Sequence, residues 1–439
     1  MEKGAYGLFK LLNTSYKKKM INSIEIKEGI KFHEIETNKF KTNLLAVFLS
    51  MPLTRETVTK NALIAAILRR GTQNMKTQEE ISKNLEEMYG SNFDCGIEKT
   101  GDIHTMKFYL ESINDEFLPE KENLLKRSFE ILLDIVFNPL VEDGKFKEEY
   151  FKGEKENLKQ IIEGKIDNKG SYALERCIEE MYKGKAYGLY KFGYIEDLEK
   201  ITSEELYNYY KEMIQNCKID IFVSGVLPQG VENIIKENEN INKLQSRKVE
   251  LKDEEKQIPE QEKIVEESMD VTQGKLVIGL DVDPKEEIED LSYITMCYNT
   301  ILGGGSNSKM FQNVREKASL AYTAGSNYLK RKENIIIRAG IEIENYDKAV
   351  RIIREQLEDM KKGNFTQEDI VNAKNLILST IENIPEEQDT EISYYFGQEL
   401  ANKNVSVEKY AKKVEAVTKE QIVRVANSVT VNTIYFLKN

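Results

Sequence analysis

The chain has 439 residues, more than one hydrophobic core usually serves, so two or more domains are expected. Its 63 Lys and Arg against 75 Asp and Glu leave a formal charge of -12, which argues against nucleic acid or an anionic membrane as the main partner. With 40% apolar residues and no segment near the roughly 18 uninterrupted apolar residues of a membrane span, it reads as a globular, non-membrane protein.

In chain order, Met1 to Ile21 is basic and lacks a continuous apolar stretch of the signal-peptide kind. The run Asn43 to Met51 (NLLAVFLSM) predicts a buried strand. Glu56 to Arg69 predicts a helix with Val58, Leu63, Ile64, Ile67 and Leu68 on one face, stopped at Gly71-Thr72. Thr77 to Met88 predicts the next helix, with Thr77 as N-cap and Glu80 three residues on. Asn92 to Lys99 and Thr105 to Ser112 pair as strands around a Gly101-Asp102 turn. Lys121 to Phe137 is a long amphipathic core helix, and further helices fit Lys145 to Ile162, Ser171 to Tyr182 and Ser203 to Met213. Lys218 to Ser224 closes the half as a strand. The mixture of strands and helices predicts an α+β fold. Residues 228–270, dense in Glu, Lys, Asn and Gln, read as a linker between domains at 1–227 and 271–439, with a short helix around Val231 to Lys236.

After the linker the programme restarts. Lys275 to Val282 answers the strand at Asn43, Glu286 to Leu302 ends in ILGGGS where the first half has ILRRGT, and Lys309 to Lys317 answers the helix at Thr77. The offsets agree closely, 232 positions from Leu44 to Leu276 and 234 from Gly71 to Gly305. A strand pair, Leu320 to Tyr328 and Asn334 to Ile343, and an amphipathic helix from Asp347 to Met360 complete the echo. Even ITSEELYNYY before KIDIFVSG parallels VTKEQIVRVA before VNTIYFLKN. The expectation is therefore two homologous α/β-sandwich domains, a duplicated sheet-plus-helices unit, forming two walls of a cleft.

Cys95, Cys177, Cys217 and Cys297 form no CxxC pair and each lies in or beside an apolar stretch, so buried thiols in a reducing cytoplasm are expected. The whole chain holds two histidines, His33 and His104, on different segments, and no HxxxH pair. Both read as surface or satisfied core residues. Gly303-Gly304-Gly305-Ser306-Asn307 lacks the GK[ST] ending of a phosphate loop and follows a helix, so a turn of close backbone approach is the better reading. Lys330 to Lys332 reads as a solvated hairpin tip.

The order strand, helix, Gly-Thr, helix, strand, strand, given twice from about Ser23 onward, resembles the pitrilysin/insulinase peptidases in their form built of half-size subunits. In that family the first helix carries HxxEH some five residues before the Gly-Thr. The two His bind zinc from one face and the Glu is general base to the bound water. Counting back from Gly71-Thr72 puts the motif on Ala62-Leu63-Ile64-Ala65-Ala66, so its three functional positions, Ala62, Ala65 and Ala66, are all alanine. The family's third ligand falls near Ile161 if Glu154-Lys155 answers the family's Glu-Arg.

The segment Leu302 to Tyr322 (LGGGSNSKMFQNVREKASLAY) resembles the one in which the family's distal domain supplies an arginine and a tyrosine, seven residues apart, across the cleft. Here these are Arg315 and Tyr322. A phenol suits hydrogen bonding to a scissile carbonyl as it becomes an oxyanion, and a guanidinium suits carbonyl or carboxylate binding. The plainer alternatives are a solvated Arg315 paired to a neighbouring Glu and a core-packed Tyr322. The resemblance implies a chain that binds no cofactor, with zinc in an HxxEH-bearing partner of similar length, acting on short unfolded peptides as a heterodimer. A structural or peptide-holding homodimer is the rival. An active enzyme built on an unrecognised site has no Ser-His, Cys-His or metal constellation behind it.

Overall fold

The computed structural model describes residues 21–439. The basic stretch Met1 to Ile21 lies, up to Met20, outside them. The first half is built from β1 (Asn22–Lys27), β2 (Ile30–Glu36), β3 (Thr42–Pro52), α1 (Arg55–Leu68), α2 (Gln78–Glu87), β4 (Asn92–Thr100), β5 (Ile103–Ile113) and α3 (Leu124–Phe137). It continues with the two-residue strands β6 (Val141–Glu142) and β7 (Lys145–Phe146), then α4 (Glu148–Glu163), α5 (Lys169–Met181), α6 (Ile195–Leu198), α7 (Ser203–Asn216) and β8 (Lys218–Gly225). Two short helices, α8 (Glu232–Lys236) and α9 (Glu239–Asn242), follow.

The second half comprises β9 (Lys263–Ser268), β10 (Gly274–Val282), α10 (Leu291–Gly303), a π-helical turn over Phe311–Lys317, β11 (Ala321–Leu329), β12 (Asn334–Ile341) and α11 (Tyr346–Lys361). Then come α12 (Gln367–Glu382), α13 (Gln388–Leu400), α14 (Val407–Glu415), α15 (Lys419–Ala426) and β13 (Val429–Lys438).

The sheets establish the duplication. One runs β1-β2-β8-β3-β5-β4 and the other β11-β12-β10-β13-β9. With β1 set aside, the two orders are the same when read from opposite ends. In both, the single parallel pair falls at the same place, β2 with β8 and β9 with β13. The α+β fold with two sheet-plus-helix units is thus as expected.

Two readings need correction. Residues 228–270 are not a linker throughout: Lys263–Ser268 is strand β9, paired along Thr433 to Lys438, and Ile235, Ile241 and Leu244 are buried in the first core. Alternating burial on a polar edge strand (KIVEES) leaves too little apolar signal for sequence periodicity to find it. Lys332 is not solvated either, being 6% exposed.

The halves are interlocked by exchanged helices. Helix α5 of the first half lies on the second sheet, where Ala173 and Cys177 pack with Val277, Ile336, Tyr435 and Leu437. Helix α13 of the second half lies on the first sheet, where Ile392, Tyr395 and Phe396 pack with Leu44, Ala46, Phe48 and Phe222. The Phe396 ring stacks on Phe48 at 4.0 Å. Each sheet is therefore covered on both faces, which is why β3 is buried continuously from Asn43 to Met51 instead of alternating. The facing sheets of an open cleft are replaced by this mutual covering.

The exchanged α13 is also held by charge. Glu399 accepts from Lys31 Nζ at 2.7 Å and from Lys218 Nζ at 2.8 Å. Burial alone would raise its pKa, but the hydrogen bonds and charges of the two lysines prevail and hold the carboxyl down to about 2. The folded value lies below the roughly 4.3 of an unfolded glutamate, so this group's stabilisation is complete above about pH 4.3 and disappears as pH falls toward 2. Urea midpoints followed across that window should fall with pH, and Glu399→Gln should flatten the fall. An unchanged slope in the variant would show that the pair of lysines contributes nothing.

Candidate functional site

Helix α1 carries the positions where metal ligands would be. Ala62 and Ala65 are 4% and 3% exposed, and with Ala66 they line a cavity of about 470 Å³. The cavity is completed by Cys95, Gly96 and Ile97 of the edge strand β4 and by Glu154, Leu158 and Ile161 of α4. Glu154 and Ile161, two turns apart on one helix, thus face the same space as the three alanines.

The donors there do not fit a zinc ion. Three of the lining positions offer methyl groups, and the Glu154 carboxylate is opposed by Arg70 Nε at 3.3 Å. The Cys95 thiol is pushed up to about 11 by burial, against the pull of the Arg69 guanidinium. Among the described residues no group of three or more His, Cys, Asp or Glu is placed to hold a metal ion.

Both histidines are core residues engaged elsewhere. His33 is 1% exposed, stacked on Phe222 at 4.2 Å and hydrogen-bonded to Ser23 Oγ at 2.8 Å and Asp220 Oδ1 at 3.0 Å. His104 has Asn61 Nδ2 3.1 Å from Nδ1 and the Lys191 carbonyl 2.9 Å from Nε2. The Asn61 side chain also accepts from Tyr209 Oη at 2.8 Å. Burial lowers the His104 pKa to about 4, so the ring is neutral near pH 7, Nε2 donating and Nδ1 accepting. The cysteines are free: Cys177, Cys217 and Cys297 are buried, and Cys95 alone is partly exposed.

The duplication reproduces the cavity in the second half, which sequence reading missed. A larger space of about 1000 Å³ is lined by Met296, Asn299, Thr300 and Gly303 of α10, each 234 positions after Ala62, Ala65, Ala66 and Arg69. Ala324, Gly325 and Ser326 of the edge strand β11 take the places of Cys95, Gly96 and Ile97. Ile377, Thr380, Ile381 and Ile384 take those of Glu154, Asn157, Leu158 and Ile161. A Cβ on Gly303 would stand 2.4 Å from Ser326 Oγ and 2.5 Å from its backbone nitrogen. The glycine run therefore serves close helix-to-strand approach.

Arg315 lies on the π-helical turn. Its guanidinium stands 4.4 Å over the Phe311 ring, Nε is 3.4 Å from Glu316 Oε1, and the side chain is 39% exposed. Tyr322 is at an irregularity of β11, where pairing with β12 shifts between Ala321 and Thr323. Its side chain is 79% exposed and makes no hydrogen bond among the described residues. A bulge of this kind at a sheet edge re-aims the side chain, and π-helical turns are frequent beside functional groups. Tyr322 is not a core residue, and Arg315 is only partly engaged by its neighbour.

Comparison with known proteins agrees with this picture. The family described as "Peptidase M16 inactive domain" matches residues 200–377. The "Probable inactive metalloprotease YmfF" of Bacillus subtilis (strain 168) is 34% identical over 420 residues, covering 95% of this chain and 98% of that protein. The chain belongs to the M16 peptidase family. A conserved protein from Enterococcus faecalis V583 has the same fold at TM-score 0.86 and 26% identity, over 95% of this chain and 98% of that one. A structure titled peptidase M16 inactive domain, from Pseudomonas fluorescens, matches at TM-score 0.77 and 18% identity over 95% and 98% of the two chains, and supports the fold alone. Within the M16 family this chain is a half-size, inactive, peptidase-like homologue. Among the described residues no helix is long and apolar enough to cross a membrane.

Proposed function

We propose that this M16 homologue is the non-catalytic subunit of a cytoplasmic heterodimeric zinc peptidase, and that it offers Arg315 and Tyr322 to a partner of similar length carrying HxxEH. The observation that carries the reading is the asymmetry between the two halves. The α1 face that would grip a metal has only methyl groups, while Tyr322 is 79% exposed with no internal partner to explain it. A phenol held in that way can donate to an oxyanion forming in a neighbouring subunit, and the guanidinium of Arg315 can leave the Phe311 face to bind a carbonyl. An enclosed chamber between subunits would admit short unfolded peptides, with the metal and its water belonging to the partner.

Co-expression tests this directly. The purified chain alone should cleave no quenched-fluorescent peptide, and a complex with an HxxEH-bearing M16 chain should cleave it with this chain present in equal amount. If the two chains do not co-purify, or if the HxxEH chain cleaves equally well without this one, the heterodimer is wrong and a peptide-holding homodimer takes its place.

A further inference from the structure

Arg247, where the chain leaves the first half, carries a buried charge that nothing among the described residues answers. The residue is 6% exposed, and its Nε, Nη1 and Nη2 all lie out of solvent without a hydrogen-bond partner among those residues. Buried charges elsewhere are paired, as Asp102 is with Lys332, Glu154 with Arg70 and Asp220 with Lys218. The backbone fixes its place. Arg247 N donates to the Glu28 carbonyl at 2.9 Å, and the side-chain stem lies on Gly29 of the β1–β2 turn, where a Cβ would stand 2.7 Å from Cγ and 2.9 Å from Cδ. Acceptors nearby are already engaged. Lys27 Nζ takes the carbonyls of Ile241, Asn242 and Leu244 at 3.2, 2.9 and 2.8 Å, Gln215 Oε1 accepts from Gln245 N at 2.9 Å, and the Gly29 carbonyl accepts from Ile219 N at 3.0 Å. The titratable group that acts on the guanidinium is the Cys217 thiol at the end of α7, and burial pushes that thiol up to about 12 in spite of the guanidinium's pull. The thiol is therefore protonated at neutral pH and is no counter-ion.

We propose that Arg247 anchors a buried site for a small inorganic anion of chloride's size, which fixes the start of the connecting segment on the β1–β2 turn. A guanidinium has five N–H donors, and taking them out of water without an acceptor is strongly unfavourable, so an ion that accepts several of them removes that cost. Enclosure decides the size. All three nitrogens are shielded from solvent and the stem is pressed on Gly29, so the ligand is a bare ion in contact with the fork, not a carboxylate reaching in on a chain. Further along the same segment Asp253 accepts from Asp102 N, and Lys256 Nζ donates to the Val282 and Glu333 carbonyls. An ion at Arg247 thus secures one end of a strap whose other end is tied to both halves. The site lies within this chain and is independent of the heterodimer proposed above.

Thermal unfolding of the whole chain at neutral pH tests this in sodium chloride against sodium gluconate at equal ionic strength, the organic anion being too large to enter. Chloride should raise the melting temperature along a saturable curve, by about 3 °C when the site is full, the size expected when an ion binds the folded form alone. Arg247→Met keeps the stem and removes the charge, so it should melt no lower than the parent in gluconate and gain nothing from chloride. Equal melting of the parent in the two salts, or a chloride increment that survives in Arg247→Met, would overturn the proposal. A variant that melts lower than the parent in gluconate would overturn it too, since the guanidinium would then be paired within the chain. Crystals of the parent grown in sodium bromide give a reading that needs no variant. An anomalous difference peak within hydrogen-bond distance of the guanidinium nitrogens supports the site, and a guanidinium in contact with protein or water alone sinks it.

Discussion

Lys332→Ala should lower the unfolding free energy by about 3–5 kcal/mol, the usual cost of leaving a buried charge without its partner. Lys332 Nζ lies 2.8 Å from Asp102 Oδ2, with the two side chains 5% and 4% exposed. Asp102 sits in the β4–β5 turn and Lys332 in the β11–β12 turn, so equivalent hairpins of the two halves meet through this pair. Asp253, from the segment connecting the halves, ties the junction together: its Oδ1 accepts from Asp102 N at 2.7 Å and its Oδ2 is 2.8 Å from Arg331 Nε. Gly101 permits the approach, since a Cβ there would stand 2.2 Å from Asp253 Oδ1 and its φ is +58°. Removing the ammonium leaves the buried Asp102 carboxylate without its counter-ion, held only by the hydrogen bond that its Oδ2 accepts from Glu254 N at 2.6 Å. Urea denaturation followed by circular dichroism measures the loss, and the double variant Asp102→Leu with Lys332→Met should recover part of it, because both charges then leave together. A loss within the few tenths typical of surface substitutions would show that water reaches the pair.

How far the sequence revealed all this depended on whether a signal was local. Asn43 to Met51, the α1 stripe and the long α3 stripe are apolar at one period, and they lie within a few residues of where they were read. Thr77 caps α2 by accepting from Glu80 N at 3.1 Å, a contact three residues apart that the sequence pattern shows. The duplicated order was legible because insertions were few. What was hidden is non-local. Nothing in KGSYALERCIEEM says that its apolar side packs on a sheet about a hundred residues later, and nothing in Lys330 to Lys332 shows that the tip of a hairpin would be pressed against another hairpin. The alanines at Ala62, Ala65 and Ala66 could be found only because a resemblance said which residues ought to stand there. Ile161, offered on the same basis, lines the same cavity. The counterpart cavity beneath β11 was within reach of the repeat itself, since the offset of 234 that aligns Gly71 with Gly305 carries Ala62 to Met296.

Within a complex that cleaves peptides, Tyr322→Phe should lower kcat by about 10²- to 10³-fold, the effect of deleting one donor to a developing oxyanion. The substitution removes a single hydroxyl from a side chain that is 79% exposed and has no hydrogen-bond partner among the described residues, so it deletes nothing that holds this chain together. Stability should therefore stay within about 0.5 kcal/mol of the parent, as for other surface changes that break no buried contact. Arg315→Gln should behave differently. Its guanidinium is already desolvated on one face by Phe311, so it is suited to holding substrate before and during reaction, and its loss should appear mainly as a raised KM. Steady-state kinetics on the two complexes separate these effects, and size-exclusion chromatography checks that both still assemble. If Tyr322→Phe leaves kcat unchanged while the complex remains intact, the exposed phenol has some other purpose and the partner's own groups must stabilise the oxyanion. The contrast with Lys332 is physical: there a charge is buried and paired within the chain, so its loss is felt in folding, whereas here a polar group has no partner of its own, so its loss should be felt only where another polypeptide supplies one.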